Sequence, residues 1–396
     1  MNVPLLDLKA QNQPLEKELK TVFDSVLSSG RFILGPEVEA LEAEIAEMSG
    51  AKYGIGVSSG TDAIIVALMA LGIGPGDEVL CPTFTFFATA GCIARVGATP
   101  VWVDVCPVSF NIDVKDAETR ITDKTKAIIP VHLYGQSADM DGVMALAAKY
   151  DLRVIEDTAQ AVHAQYKSKY VGGIGDFGTT SFYPTKNLGA FGDAGMVVTN
   201  DEALAQKARW MRNHGDVSRY VHKFVGGNFR LDALQAAMLR VKLPNFTTYV
   251  ENRRKHAAYY VEQLSGISGF VVADEKDIGS DYSELVTKQL SEGVQVVLPI
   301  ELNGCVHTWN QYTIRVLEPG KRDALRDYLR ENGVGCETYY PVTMDQQECF
   351  DGLGRGGERV PVAHALTQQT LSIPAYPEMT VEQQNYVIKK LIEFFG

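Results

Sequence analysis

Arg153-Val154-Ile155-Glu156-Asp157-Thr158-Ala159-Gln160 is the stretch that decides how this chain folds. An apolar β-branched pair runs into carboxylates and small polar residues, which predicts a buried strand over Arg153–Glu156 with Asp157 at its carboxyl end. Strand ends of that kind are where open α/β sheets place ligands. Working outward, Gly54–Val57, Glu78–Cys81, Thr99–Val103, Ala127–Val131 and Gly195–Thr199 read as further strands. Helical patterns separate several of them, at Asp62–Leu71, Phe86–Val96 and Met140–Lys149. This alternation predicts a largely parallel sheet covered by helices, and the continuous apolar character of the strands implies burial on both faces.

Before the sheet, Leu15, Leu19, Val22, Phe23 and Val26 recur at helical spacing, and Ser28-Ser29-Gly30 ends that helix. A second helix follows Gly35-Pro36, with Val38, Leu41, Ile45 and Met48 on one face. Beyond the sheet come an alanine-rich helix after Asp201 and a helix over Leu231–Leu243 that Pro244 closes. From Asn245 a long polar helix leads into a mixed region with a strand at Gln311–Val316 and a helix at Arg322–Glu331. The expected organisation is therefore a large α/β domain over residues 1–244 and a smaller α+β domain over 245–396.

With 396 residues and 45% hydrophobic content, the chain can bury a sizeable core. Its net charge of -12, from 37 Lys+Arg against 49 Asp+Glu, argues against nucleic acid as a partner. An anionic substrate stays compatible, because a few Arg, Lys and N–H groups can dominate the potential inside a pocket. The six cysteines lack C-x-x-C spacing and the density of a disulfide scaffold, so reduced thiols are expected and no metal centre is. No basic segment followed by an apolar core opens the chain, and no apolar run approaches the ~20 residues of a membrane span. A cytoplasmic location without membrane contact is the expectation.

Three segments carry chemistry. In Thr180-Ser181-Phe182-Tyr183-Pro184-Thr185-Lys186-Asn187-Leu188-Gly189, a lysine stands among small, apolar and hydroxyl residues. Most lysines are solvated surface charges. Desolvation would instead make this one a Schiff-base nucleophile. Asp157 at the strand end reads either as a helix cap or as a carboxylate presented to a ligand. Ser58-Ser59-Gly60-Thr61-Asp62-Ala63 is a strand-to-helix junction whose free N–H groups suit an anion, although the same pattern serves as an ordinary N-cap.

These segments, in this order and with Pro82-Thr83-Phe84-Thr85-Phe86 between the first and second along the chain, resemble the DegT/DnrJ/EryC1/StrS family of sugar aminotransferases. The resemblance continues through Val3-Pro4-Leu5-Leu6-Asp7-Leu8, Gly74-Pro75-Gly76-Asp77-Glu78-Val79, Asn228-Phe229-Arg230-Leu231-Asp232, Tyr339-Tyr340-Pro341-Val342 and Leu371-Ser372-Ile373-Pro374. It implies an aspartate aminotransferase-like fold of type I that binds pyridoxal phosphate and forms a homodimer with shared active sites. Lys186 would be the Schiff-base lysine, Asp157 the partner of the ring nitrogen, Gln160 the neighbour of the ring hydroxyl and Phe86 the aromatic on the ring face. Gly60, Thr61 and Ser181 would hold the phosphate, joined by Asn228 from the neighbouring subunit. The implied reaction passes an amino group from glutamate to a keto sugar linked to a nucleoside diphosphate. The opening Pro4-Leu5-Leu6-Asp7-Leu8 looks more like members acting at C3 than at C4. A pyridoxamine-dependent dehydratase, which has histidine in place of Lys186, and a non-catalytic regulatory protein on the same fold are the competing readings.

Arg31 and Arg230 are candidates for pairing with a carboxylate or diphosphate. Tyr183, His307 and Tyr312 complete the expected substrate residues, the last two within the polar-aromatic run His307, Trp309, Asn310, Gln311, Tyr312. The sequence departs from the family's pattern at Val162 and His163, where a His or Ser followed by Gly is common, and at Ser168, where glycine is common. These departures are expected to touch only contacts near the mouth of the site.

Overall fold

The protein is described here by a computed structural model of all 396 residues. Seven strands form its main sheet: β1 (Tyr53–Val57), β2 (Glu78–Pro82), β3 (Thr99–Val103), β4 (Thr125–Ile128), β5 (Arg153–Asp157), β6 (Phe177–Ser181) and β7 (Gly195–Thr199). Their spatial order is β1-β7-β6-β5-β4-β2-β3, parallel throughout except for β7, which runs antiparallel to both its neighbours. Alternate residues of each strand serve opposite layers, as a strand's period of two requires. Helices α1 (Glu16–Ser29) and α2 (Pro36–Met48) precede the sheet; on β5, Ile155 faces a core built with helices α3 (Gly60–Leu71) and α4 (Phe87–Arg95), whereas Val154 faces a core that includes Leu146 of a helix over Met140–Tyr150. Helices thus cover both faces, as the alternating pattern predicts.

The strand β6 was not among the expected elements. Its sequence, Phe177-Gly178-Thr179-Thr180-Ser181, has one large apolar residue, and yet it lies between β5 and β7 with four of its five residues buried. Gly178 allows this, since a Cβ there would come 2.3 Å from the Gly172 carbonyl oxygen.

From Phe246 a helix over Phe246–Leu264 enters the smaller domain, whose sheet has the order β8 (Phe270–Val272), β9 (Val296–Leu298), β10 (Tyr312–Val316) and β11 (Thr370–Ile373). The boundary expected at 244/245 marks where that helix begins, but the two cores exchange segments across it. Val3 lies in the smaller core with Tyr260 and Leu329, and it bridges to Val334. Conversely Met344, Phe350, Val360, Ala363 and Leu366 pack into the core of the main sheet. All six cysteines are free thiols, Cys349 being the exposed one. No helix is long and apolar enough to cross a membrane.

Candidate active site

The carboxyl ends of β5 and β6 and the start of α3 meet at one place. Asp157 closes β5 and is buried, with Oδ2 accepting from Thr89 Oγ1 at 2.9 Å and Oδ1 accepting from the Ala159 N–H at 3.1 Å. Burial pushes its pKa up, and the Ala159 N–H, the Thr89 hydroxyl and the charge of Lys186 pull it back. The preceding residue points to the other layer. Glu156 is fully buried and accepts from the N–H groups of Gly172, Ile174 and Gly175 at 2.8, 2.8 and 2.7 Å. His132 Nδ1 accepts from the Ala138 N–H, so its Nε2 carries the proton and donates to Glu156 Oε2 at 3.1 Å.

Lys186 sits on the loop that leaves β6. That loop is folded back by the Ala190 N–H to the Phe182 carbonyl at 2.7 Å and by the Lys186 N–H to the Tyr183 carbonyl at 2.8 Å. Gly189 is required for the tight return, because a Cβ there would come 2.2 Å from the Pro184 carbonyl oxygen. Lys242 Nζ, itself buried, donates to the Gly189 carbonyl at 2.7 Å, and Asn187 Nδ2 donates to the Thr308 carbonyl at 3.0 Å. The loop is thereby held to the main domain on one side and to the smaller domain on the other. Desolvation brings the Lys186 ammonium down to about 8, against the opposing pull of Asp157. A lysine whose ammonium gives up its proton about two pH units earlier than usual supplies far more of the neutral amine that Schiff-base chemistry needs.

Gly60 begins α3, and Ser59 caps it by accepting from the Asp62 N–H at 3.0 Å. A Cβ on Gly60 would lie 2.6 Å from the Ser181 Cβ, so only glycine lets the helix N-terminus pack directly against Ser181. The Ser58 and Ser59 hydroxyls both donate to Asp62 Oδ2, at 2.6 and 3.0 Å, so both are already engaged at the helix start. Gln160 is fixed by its own partners, its Oε1 accepting from the Tyr134 N–H at 2.8 Å and its Nε2 donating to the Tyr340 hydroxyl at 2.9 Å. Phe86 is 54% exposed at the start of α4, with its ring centroid 6.3 Å from that of Tyr340. Thr89, Tyr134 and Tyr340, which position Asp157 and Gln160, were not singled out in the sequence; the placement of Thr89 three residues after Phe86, one helical turn on, was the available signal.

The remaining expected residues are placed less uniformly. Tyr183 is exposed on the Lys186 loop, its N–H donating to Ser181 Oγ at 3.2 Å. Asn228, Arg31 and Arg230 lie on strands of irregular chain that pair through Asn213–Asn228, Ile33–Asp232 and Val57–Arg230. Asn228 and Arg31 are exposed, and Arg230 Nη1 donates to Asn213 Oδ1 at 2.8 Å. His307 is buried and stacked 3.8 Å from the Trp309 ring, its Nδ1 accepting from the Trp309 N–H at 2.9 Å, and burial lowers its pKa. Tyr312 is buried on β10 with its hydroxyl unpaired. His163 stacks on Tyr170 with centroids 4.5 Å apart. Ser168 has φ of +66°, following Lys167 at +47°, in the turn of a hairpin; a left-handed turn position is the physical reason glycine suits that place.

A desolvated lysine, a buried carboxylate at a strand end and a helix N-terminus lie at the carboxyl edge of a mainly parallel sheet, an arrangement suited to an enzyme that works through a bound carbonyl cofactor. Residues 13–392 match the model of the DegT/DnrJ/EryC1/StrS aminotransferase family, and the chain belongs to that family. A "Pleiotropic regulatory protein" of Geobacillus stearothermophilus is 48% identical over 395 residues, covering 100% of this chain and 99% of the relative. The UDP-N-acetyl-3-dehydro-alpha-D-glucosamine 3-aminotransferase of Acidithiobacillus ferrooxidans is 44% identical over 96% of this chain and 95% of its own. Among solved structures, Streptomyces venezuelae DesV in complex with a ketimine intermediate superposes with a TM-score of 0.89 at 37% identity, covering 100% of this chain and 98% of that one.

Aminotransferases of this fold use pyridoxal phosphate, and the residues present fit it. Gly60 packs directly against Ser181, so the N-terminus of α3 and the Ser181 hydroxyl lie side by side, as a phosphate site requires. Asp157 is buried and anchored for a protonated ring nitrogen. Lys186 is desolvated within range of the Asp157 charge.

Proposed function

We propose that this chain transfers the amino group of glutamate to C3 of a keto sugar carried on a nucleoside diphosphate, working as a homodimer. The observation that carries the reading is the convergence of Lys186, Asp157 and the Gly60–Ser181 contact at the carboxyl ends of β5 and β6. The choice of C3 is supported by the 3-aminotransferase among the relatives and by others whose names specify 3-amino or 3-oxo sugars. Bound here, pyridoxal phosphate supplies the electron sink that stabilises a carbanion at the donor carbon.

The protein's own residues do the rest. Lys186 Nζ takes the proton from the donor carbon and returns it on the other side of the reaction, a task suited to an amine brought near neutrality. Asp157 keeps the ring nitrogen protonated, and its anchoring by Thr89 and Ala159 holds the carboxylate in line. Gly60 and Thr61 N–H groups and the Ser181 hydroxyl receive the phosphate, with Asn228 of a second copy closing the cradle. Gln160, held by Tyr134 and Tyr340, meets the ring hydroxyl, and Phe86 covers the ring face. Arg31, Tyr183, Arg230, His307 and Tyr312 are the residues proposed on the substrate side.

The name of the Geobacillus relative favours a second reading, a regulatory protein on this fold. Spectroscopy on the purified holoprotein separates the two. Glutamate should bleach the visible band of the lysine-bound cofactor and release 2-oxoglutarate, and a nucleotide-linked 3-keto sugar should restore it. An unchanged spectrum with every amino donor supports the regulator and ends the aminotransferase reading, while restoration only by a 4-keto sugar overturns the choice of C3.

A further inference from the structure

The helix over Ala233–Lys242 ends on a charge that burial makes costly. Lys242 is 1% exposed, and its Nζ makes a single hydrogen bond, to the Gly189 carbonyl at 2.7 Å. The Phe191 ring lies beside it, with the centroid 5.6 Å from Nζ. No carboxylate bonds it. The opposing charge is that of Glu378, whose two oxygens are buried without hydrogen-bond partners and which faces Arg253 as well. Burial lowers the Lys242 ammonium to about 8, and Glu378 pulls it back up. An apolar side chain of similar volume would avoid that cost, so the bond to Gly189 is what the ammonium adds.

That bond lands on the loop carrying the Schiff-base lysine. Gly189 is three residues beyond Lys186, at the point where the loop turns back on itself. Leu188 is buried in a core shared with Val38 and Leu41 of α2, and Asn187 Nδ2 donates to the Thr308 carbonyl of the smaller domain at 3.0 Å. Each of the three residues after Lys186 is thus fixed to a different partner: the smaller domain, the apolar core and Lys242. Lysine has a flexible four-carbon stem, so the place of the Lys186 amine follows from where this loop holds its Cα. Asp157 is the charge that acts on Lys186. Lys242 reaches it through the backbone.

We propose that Lys242 is a positioning residue for the reaction: its bond to Gly189 sets where the Lys186 amine stands relative to the donor carbon, and Glu378 supplies the counter-charge. The inference rests on the aminotransferase reading and adds to it a residue that touches neither cofactor nor substrate. A misplacement of about 1 Å at a reacting group costs on the order of a hundredfold in rate.

Lys242→Met tests this in the intact holoprotein. The thioether fills the lysine's place without a donor, and Arg253 and Glu378 remain to balance each other. The variant should bind the cofactor and show its visible band. The saturating rate of bleaching by glutamate should fall about ten- to a hundredfold, while the glutamate concentration for half-maximal rate stays as in the wild type. Deuterium on the donor carbon should slow the variant by a full primary isotope effect, which marks proton transfer as the step affected. Visible circular dichroism per bound cofactor should change without any turnover, because the ring follows the lysine. The pH at which cofactor uptake by the stripped protein levels off should stay at about 8, because the charge of Lys242 does not act on Lys186. An unaltered saturating rate, a rate loss fully explained by less bound cofactor, or a shift of that pH overturns the positioning role and leaves the aminotransferase reading intact. If the Met variant does not fold, Lys242→Gln is read in the same way, and failure of both to fold makes Lys242 a folding residue and ends the proposal. A wild-type protein that reacts with no donor removes both readings.

Discussion

At the scale of single residues, the cleft works by making charges costly and then supplying a partner for each. Lys186 loses its solvent and drops to about 8, and Asp157 loses its solvent and rises. The two shifts share a cause, and each is moderated by the other's charge. A measurable consequence follows for the protein stripped of its cofactor. Only the neutral amine attacks an aldehyde, and the neutral fraction of Lys186 grows as pH rises through its pKa. The rate of reconstitution with pyridoxal phosphate should therefore climb with pH and level off above about 8, the value desolvation gives the lysine. Stopped-flow absorbance across pH 6 to 10 reads this directly; a profile still rising steeply at pH 10 would show a lysine with an ordinary pKa.

Among the elements, β5 does two jobs with adjacent carboxylates on opposite faces. Asp157 serves the cleft, and Glu156 ties the Gly172–Gly175 turn and His132 to the sheet. Glu156→Gln places an NH₂ against two donors whichever way the amide is turned, because each carboxylate oxygen accepts two bonds. The expected cost is about 2–4 kcal/mol of stability, from buried donors left without acceptors. A lowered urea midpoint checks it, and a shift near zero would mean the turn is anchored elsewhere. The same strand shows what could be read in advance. Its apolar pair and terminal aspartate announced a buried parallel strand, and the Ser59-Gly60 junction announced a helix start. The neighbouring β6 stayed hidden because Gly178, Thr179, Thr180 and Ser181 offer neither apolar alternation nor a continuous apolar run. Its burial is a property of Gly172 lying against Gly178, a contact between segments that no local pattern contains.

For the whole molecule, Phe32, Ile33, Phe191, Val221 and Val225 are large apolar side chains left exposed in the single chain. Asn228 is exposed on a chain segment paired with Asn213, consistent with service to a neighbour's cleft. If two copies share sites in this way, a variant lacking Lys186 and one lacking Asn228 damage different halves of each site. Mixing Lys186→Ala with Asn228→Ala after dissociation should then restore roughly a quarter of wild-type activity, because half the dimers are hybrids with one intact site of two. Neither variant alone should approach that level, and a mixture no better than the more active variant would place Asn228 in its own chain's cleft.

The bridge between Val3 and Val334 also has a consequence for how the protein is made. Val3 leaves the ribosome well before the strand edge that pairs with it, which is encoded far downstream around Val334. Until those residues emerge, the leading segment has nothing native to pair with, while the main sheet already has most of its strands available. Domain-by-domain folding during synthesis is therefore incomplete here by construction. The segment around Val3 is made before the main sheet and finds its place after it.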